Sequence, residues 1–150
     1  MKVRDLMQTE VVTLSVHDDL ALADDIMNLG RVRHLPVVDG NRIVGIVSQR
    51  DLFRAGMSSL LEIDPAEMRD WLKELVVRDL MVKEVETIGP DDHVATAAER
   101  MLAKRIGCLP VVEEGRLVGL LSESDCMSYL VRLLDIAEIR KHLPELGPQD

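Results

Sequence analysis

Aromatic side chains are almost missing from this chain: one Phe, one Trp and one Tyr in 150 residues, 2 % of the total. Phe53, Trp71 and Tyr129 are too few and too scattered to form a base-stacking platform. Positive charge is also in deficit. Eighteen Lys and Arg face 27 Asp and Glu, a net charge of −9, which argues against a nucleic-acid surface built on clustered cations. There are two cysteines, Cys108 and Cys126, without C-x-x-C spacing. They read as free thiols in a reducing compartment. No apolar run reaches the length of a membrane span, and the first residues lack a signal-peptide apolar region. No membrane contact is expected, and the expected location is the cytoplasm. Both glycine-rich phosphate fingerprints are absent, G-x-x-x-x-G-K-[ST] as well as G-x-G-x-x-G. His17, His34, His93 and His142 lack H-x-x-x-H spacing, so no metal site is expected. There is no G-x-S-x-G elbow, so a triad of Ser48, His34 and Asp51 is not expected.

What is present is apolar and doubled. Apolar residues make up 47 %, mostly Leu, Val, Ile, Met and Ala, and the eight methionines suit core filling. "GIVSQRD" at Gly45–Asp51 returns as "GLLSESD" at Gly119–Asp125, 74 residues on. "VRDLM" at Val3–Met7 and "LPVV" at Leu35–Val38 return at the same spacing, and 22 of the 50 positions from Val3 to Leu52 match Val77 to Cys126. The chain is therefore two copies of one unit. A unit of that size is marginal alone, so the copies are expected to pack together.

Each copy reads as strand, helix, strand, strand, helix. Val11–Leu14 and Val85–Ile88 are short strand candidates. Leu20, Ala23, Ile26 and Met27 share a helical face, as do Val94, Ala97, Ala98 and Met101. Gly30 fits a helix end. Asp39-Gly40-Asn41 and Glu114-Gly115 predict hairpin turns. Asp64, Pro65 and Glu67 resemble a helix start, predicting a helix over Pro65–Val76. The expected organisation is a first repeat over 1–60, a connecting helix over 61–76, a second repeat over 77–134, and a helix end and tail over 135–150. The tail "PELGPQD" is expected to be disordered. Leu130, Val131, Leu133, Leu134, Ile136 and Ile139 exceed what one small unit needs, and could face a second subunit or pack within the chain.

Ser48 and Asp51, repeated as Ser122 and Asp125, have the spacing of a capping box at a strand-to-helix junction. The same junction offers a helix N-terminus and an acid able to accept hydrogen bonds from a vicinal diol such as a ribose. One carboxylate oxygen can cap while the other is exposed, so both readings stand.

The ordered, doubled set of Thr-plus-aliphatic strand, "LPVV" and G-h-h-S-x-x-D (h apolar) resembles the CBS domain, and the tandem resembles a CBS pair over residues 1–130. The resemblance implies an α/β (α+β) fold of two β-α-β-β-α repeats packed as a pseudo-two-fold pair, and adenine-nucleotide sensing without catalysis. It also implies two clefts, each built from both repeats. One would hold Leu120, Ser122 and Asp125 with Thr13, Leu14, Val32, Arg33, His34 and Pro36. The other would hold Ile46, Ser48 and Asp51 with Thr87, Ile88, Ile106, Gly107, Cys108 and Pro110. Arg31, Arg33 and His34 have only Arg105, Gly107 and Cys108 as counterparts, so phosphate is expected to favour the Asp125 cleft. The expected function is a regulatory module that binds AMP, ADP or ATP, or S-adenosylmethionine, requires no cofactor, forms a homodimer and acts on a separate protein. The alternative is an interaction dimer without nucleotide.

Overall fold

The computed structural model describes residues 1–57 and 64–142, and the side chains among them except those of 57 and 139–142. The expected tail "PELGPQD" lies outside the described residues, as does the side chain of Ile139. After a single helical turn at Val3–Asp5, the first repeat contains β1 (Leu14–Ser15), α1 (Leu20–Gly30), β2 (His34–Asp39), β3 (Arg42–Ser48) and α2 (Gln49–Met57). A connecting helix α3 (Pro65–Glu74) follows. The second repeat contains α4 (Val77–Leu80), α5 (Val94–Lys104), β4 (Cys108–Glu113), β5 (Arg116–Ser122) and α6 (Glu123–His142). This is the mixed α/β pair of repeats that the doubling implies.

β1 runs parallel to β2, and β2 pairs antiparallel with β3. β4 and β5 form the matching hairpin. Each hairpin turns through two residues: Gly40-Asn41, with Gly40 at φ 60°, and Glu114-Gly115, at φ 49° and 78°. The inward faces of α1 and α5 bury Leu20, Ala23 and Met27, and Ala97 and Met101, each at most 2 % exposed, as their helical spacing predicts.

Two expectations about the elements need correction. The strands expected over Val11–Leu14 and Val85–Ile88 shrink to Leu14–Ser15 and to one parallel bridge between Ile88 and Val111. These segments are in transit. Gln8 exchanges two hydrogen bonds of 2.9 Å with Leu120, so the chain leaves the second repeat there and joins the first at Leu14. Val82 does the same with Ile46 before Ile88 reaches β4. The connecting helix stops at Glu74, not Val76. Leu75 accepts from the Leu20 N–H, and the Val77 N–H donates to Asp18, which holds this stretch extended against the start of α1. Asp64 stands at the N-cap position and Pro65 at the first helical position, but the Asp64 side chain makes no capping bond.

The leading segments therefore cross over. Val3, fully buried, belongs to the core of the second repeat with Ile88, Met101 and Leu109. Val77, fully buried too, belongs to the core of the first with Leu14, Leu20 and Leu35. Gly45 and Gly119 make room for the crossings. A Cβ on Gly119 would lie 2.7 Å from Met7 Sδ and 2.9 Å from the Gln8 carbonyl oxygen, and one on Gly45 would overlap Met81.

Candidate functional site

Both Ser-x-x-Asp boxes form. Asp51 Oδ2 accepts from the Ser48 N–H at 2.8 Å and from its hydroxyl at 2.7 Å, and the Asp51 N–H donates to Ser48 Oγ at 3.2 Å. Ser122 and Asp125 repeat the pattern at 2.8, 2.6 and 3.3 Å. Each box ends a strand and opens a helix. The first helical N–H donates to a carbonyl just before "LP": Gln49 to Arg33 at 2.8 Å, Glu123 to Gly107 at 3.0 Å. Capping thus uses Oδ2 and leaves Oδ1 pointing elsewhere. Among the described residues nothing donates to Asp51 Oδ1, whereas Asp125 Oδ1 accepts from Gln8 Nε2 at 2.9 Å.

The crossing segments bring residues of one repeat to the box of the other. Gln8, five residues before Thr13, sits against Leu120 and Asp125. A cavity of about 240 Å³ lies between Thr9, Val11 and Thr13, the first hairpin turn, and Leu117–Gly119 of β5. A second, of about 210 Å³, is lined by Asp51, Arg54 and Ala55 with Leu80 of α4. Thr13 and Thr87 are half-buried, and the Thr87 carbonyl accepts from Arg100.

Several of the singled-out residues have buried side chains. Leu14, Pro36, Ile88, Cys108 and Pro110 are buried, and Ile106 packs on the core of the second repeat. Burial pushes the Cys108 thiol up to about 12, so it is inert. Ile46, Leu120, Ser48 and Ser122 are half-buried, and Val32 and Arg33 are exposed.

His34 and Gly107 meet across the pair. A Cβ on Gly107 would fall 2.8 Å from His34 Cε1 and 3.1 Å from Nε2, with Glu123 Oε2 at 3.7 Å. The imidazole fills the space a side chain on Gly107 would need. Burial holds its pKa below the usual value against the opposing pull of Glu123 and Asp51, so the ring is neutral at pH 7. Of the basic run, Arg31 and Arg33 then carry the cationic charge. Arg31 caps α1 in the left-handed conformation, as Arg105 caps α5. Gln8, Leu80 and Glu123 are the residues that sequence reasoning missed here. Gln8 is hidden because it breaks the repeat, its counterpart being Val82.

No group of metal-ligating side chains occurs among the described residues, and no helix there is long and apolar enough to cross a membrane.

The CBS domain family model matches residues 3–58 and again 77–132. A CBS domain-containing protein of Dictyostelium discoideum is 30 % identical over 135 residues, covering 89 % of this chain and 93 % of the relative. The chain covers only 21 %, 42 % and 24 % of three longer relatives, two of them named as enzymes, so those enzymes' activities do not carry over. Among solved structures, one of a Vibrio cholerae protein assigned to acetoin utilization superposes with a TM-score of 0.76 at 33 % identity, covering 96 % of this chain and 98 % of that one. The CBS domain pair of protein MJ0100, solved with 5′-methylthioadenosine and S-adenosyl-L-methionine, superposes with a TM-score of 0.75 at 22 % identity, covering 89 % and 98 %. With both repeats matched and their crossed packing seen in the structure, the chain belongs to the CBS domain family, as a tandem pair.

Proposed function

We propose that this protein is a regulatory module that binds an adenosine-containing ligand, AMP, ADP, ATP or S-adenosylmethionine, in clefts between its repeats, and has no catalytic role. The observation that carries this reading is the doubled box in which capping consumes one oxygen of each aspartate. The other oxygen, at a helix N-terminus, suits the hydroxyls of a ribose. The ligands bound by the MJ0100 pair, both adenosine derivatives, support the chemical class. The clefts would pair Asp125, Ser122 and Leu120 with the Thr13 segment and Arg33, and Asp51, Ser48 and Ile46 with the Thr87 segment. Titration calorimetry with AMP, ATP and S-adenosylmethionine tests it. Binding of at least one, weakened by Asp51→Asn or Asp125→Asn, is expected. Absence of binding by all three at millimolar concentration would sink the reading in favour of an interaction module.

Assembly as a homodimer belongs to the same proposal. On α6, Met127, Leu130, Val131, Leu133, Leu134 and Ile136 are 44 % to 61 % exposed, and Phe53, the counterpart of Met127 on α2, is 67 % exposed. So many exposed apolar side chains on one helix are costly in water and suit a two-fold contact. Light scattering at micromolar concentration should return twice the 16.8 kDa chain mass, and Leu130→Lys with Leu134→Lys should return the monomer. A monomeric wild-type protein would remove this part.

A further inference from the structure

The two boxes are identical in sequence logic but not in occupancy. A carboxylate offers about four acceptor positions. Ser48 fills two at Asp51, both on Oδ2, and among the described residues no donor takes either position on Oδ1. Ser122 fills the same two at Asp125, and Gln8 fills a third, on Oδ1. A vicinal diol brings two hydroxyl donors. Asp51 can receive both at once, whereas Asp125 has room for one while Gln8 stays bound.

The difference is not one of backbone. Gln8 and Val82 hold the same place, each exchanging two hydrogen bonds with the middle residue of a G-h-h-S stretch: Gln8 with Leu120, both at 2.9 Å, and Val82 with Ile46, at 2.9 and 3.0 Å. Only the side chain differs, and only the amide can reach a carboxylate. Gln8 is exposed, so its side chain has solvent to turn into when displaced.

We propose that Gln8 is a selectivity latch on the Asp125 cleft: its amide occupies one acceptor position of the diol-binding oxygen in the absence of ligand and must be displaced for both hydroxyls of a ribose to bind. This rests on the reading of the boxes as ribose sites. It makes diol recognition weaker at Asp125 than at Asp51, so that occupancy of the Asp125 cleft depends on contacts elsewhere on the ligand.

The test writes each repeat's residue into the other. Asp51→Asn confines binding to the Asp125 cleft, and Asp125→Asn confines it to the Asp51 cleft; asparagine keeps an acceptor for the cap. In the Asp51→Asn protein, Gln8→Val should tighten adenosine by about three- to tenfold, the loss of one competing hydrogen bond of ordinary net strength from a neutral, solvent-exposed amide. The same change should leave 2′-deoxyadenosine, which has no diol, unaltered. In the Asp125→Asn protein, Val82→Gln should weaken adenosine by a similar factor. If Gln8→Val leaves adenosine affinity unchanged or lowers it while the parent binds, the latch is wrong and the ribose reading survives. If no protein of the set binds adenosine or AMP at millimolar concentration, the ribose reading fails and the latch fails with it.

Discussion

His34 and Gly107 show how one substitution between copies becomes a contact. At matched positions the repeats carry Arg33-His34 and Gly107-Cys108. The structure sets the histidine of one against the glycine of the other, so the absence of a side chain at Gly107 is what admits the ring. Gly107→Ala should therefore destabilise the pair by about 1–3 kcal/mol, the usual cost of overpacking a filled site. His34→Ala on top should recover most of the loss. Urea denaturation of the single and double variants decides this; a neutral Gly107→Ala would show that the ring moves aside freely. The same burial makes His34 pH-sensitive. Its folded pKa lies below the ordinary 6.5, so the unfolded chain takes up the proton first as pH falls. The histidine's contribution is complete above about pH 6.5 and is lost progressively below it. His34→Asn should flatten that part of the stability profile between pH 7 and 5, and an unchanged slope would assign it to other groups.

Among the elements, legibility divides by range. The hairpins are legible in Gly40-Asn41 and Glu114-Gly115, and the capping boxes in Ser48/Asp51 and Ser122/Asp125, because each depends on neighbours within a few residues. The crossing of the leading segments is not legible. Val3 and Val77 both open the same "VRDLM", and nothing local says that each fills the core of the other repeat. For the same reason the transit segments read as strands: Val11-Val12-Thr13 has strand composition but bridges two partners instead of pairing along one. The site suffers in the same way. Asp51 and Asp125 are visible from the repeat, while Gln8 and Leu80, which reach them through the crossing, are not. Crossing has a measurable consequence. Val3→Ala, costing about 2 kcal/mol as a buried truncation, should accelerate amide exchange in β4, β5 and α5, although Val3 lies at the head of the first repeat. Val77→Ala should do so in β2, β3 and α1. Acceleration confined to each residue's own repeat would contradict the crossed cores.

At the scale of the whole molecule, the pseudo-two-fold pair offers two clefts that two opposed effects would rank. Charge favours the Asp125 cleft, where the resemblance brings Arg33, while the counterpart position is Gly107. Because burial keeps His34 neutral at pH 7, this advantage rests on arginine alone. One charge-assisted contact contributes about 1.5–3 kcal/mol, or about one to two orders of magnitude in affinity. The Gln8 latch works against the same cleft, but by less, about three- to tenfold, because a neutral, solvent-exposed amide contributes only the ordinary net worth of a hydrogen bond. The larger effect wins when a phosphate is present, and the smaller one is left alone when it is not. AMP should therefore prefer the Asp125 cleft and adenosine the Asp51 cleft. Calorimetry on two variants reads this directly. Asp125→Asn should remove most high-affinity AMP binding and spare adenosine, while Asp51→Asn should do the reverse. Arg33→Ala should weaken AMP and leave adenosine nearly untouched, and raising the salt concentration should weaken AMP in the same selective way, since exposed charge is screened. If one aspartate variant proves the more damaging for both ligands, the clefts are not ranked by phosphate, and the placement of Arg33 beside Asp125 is the step that fails.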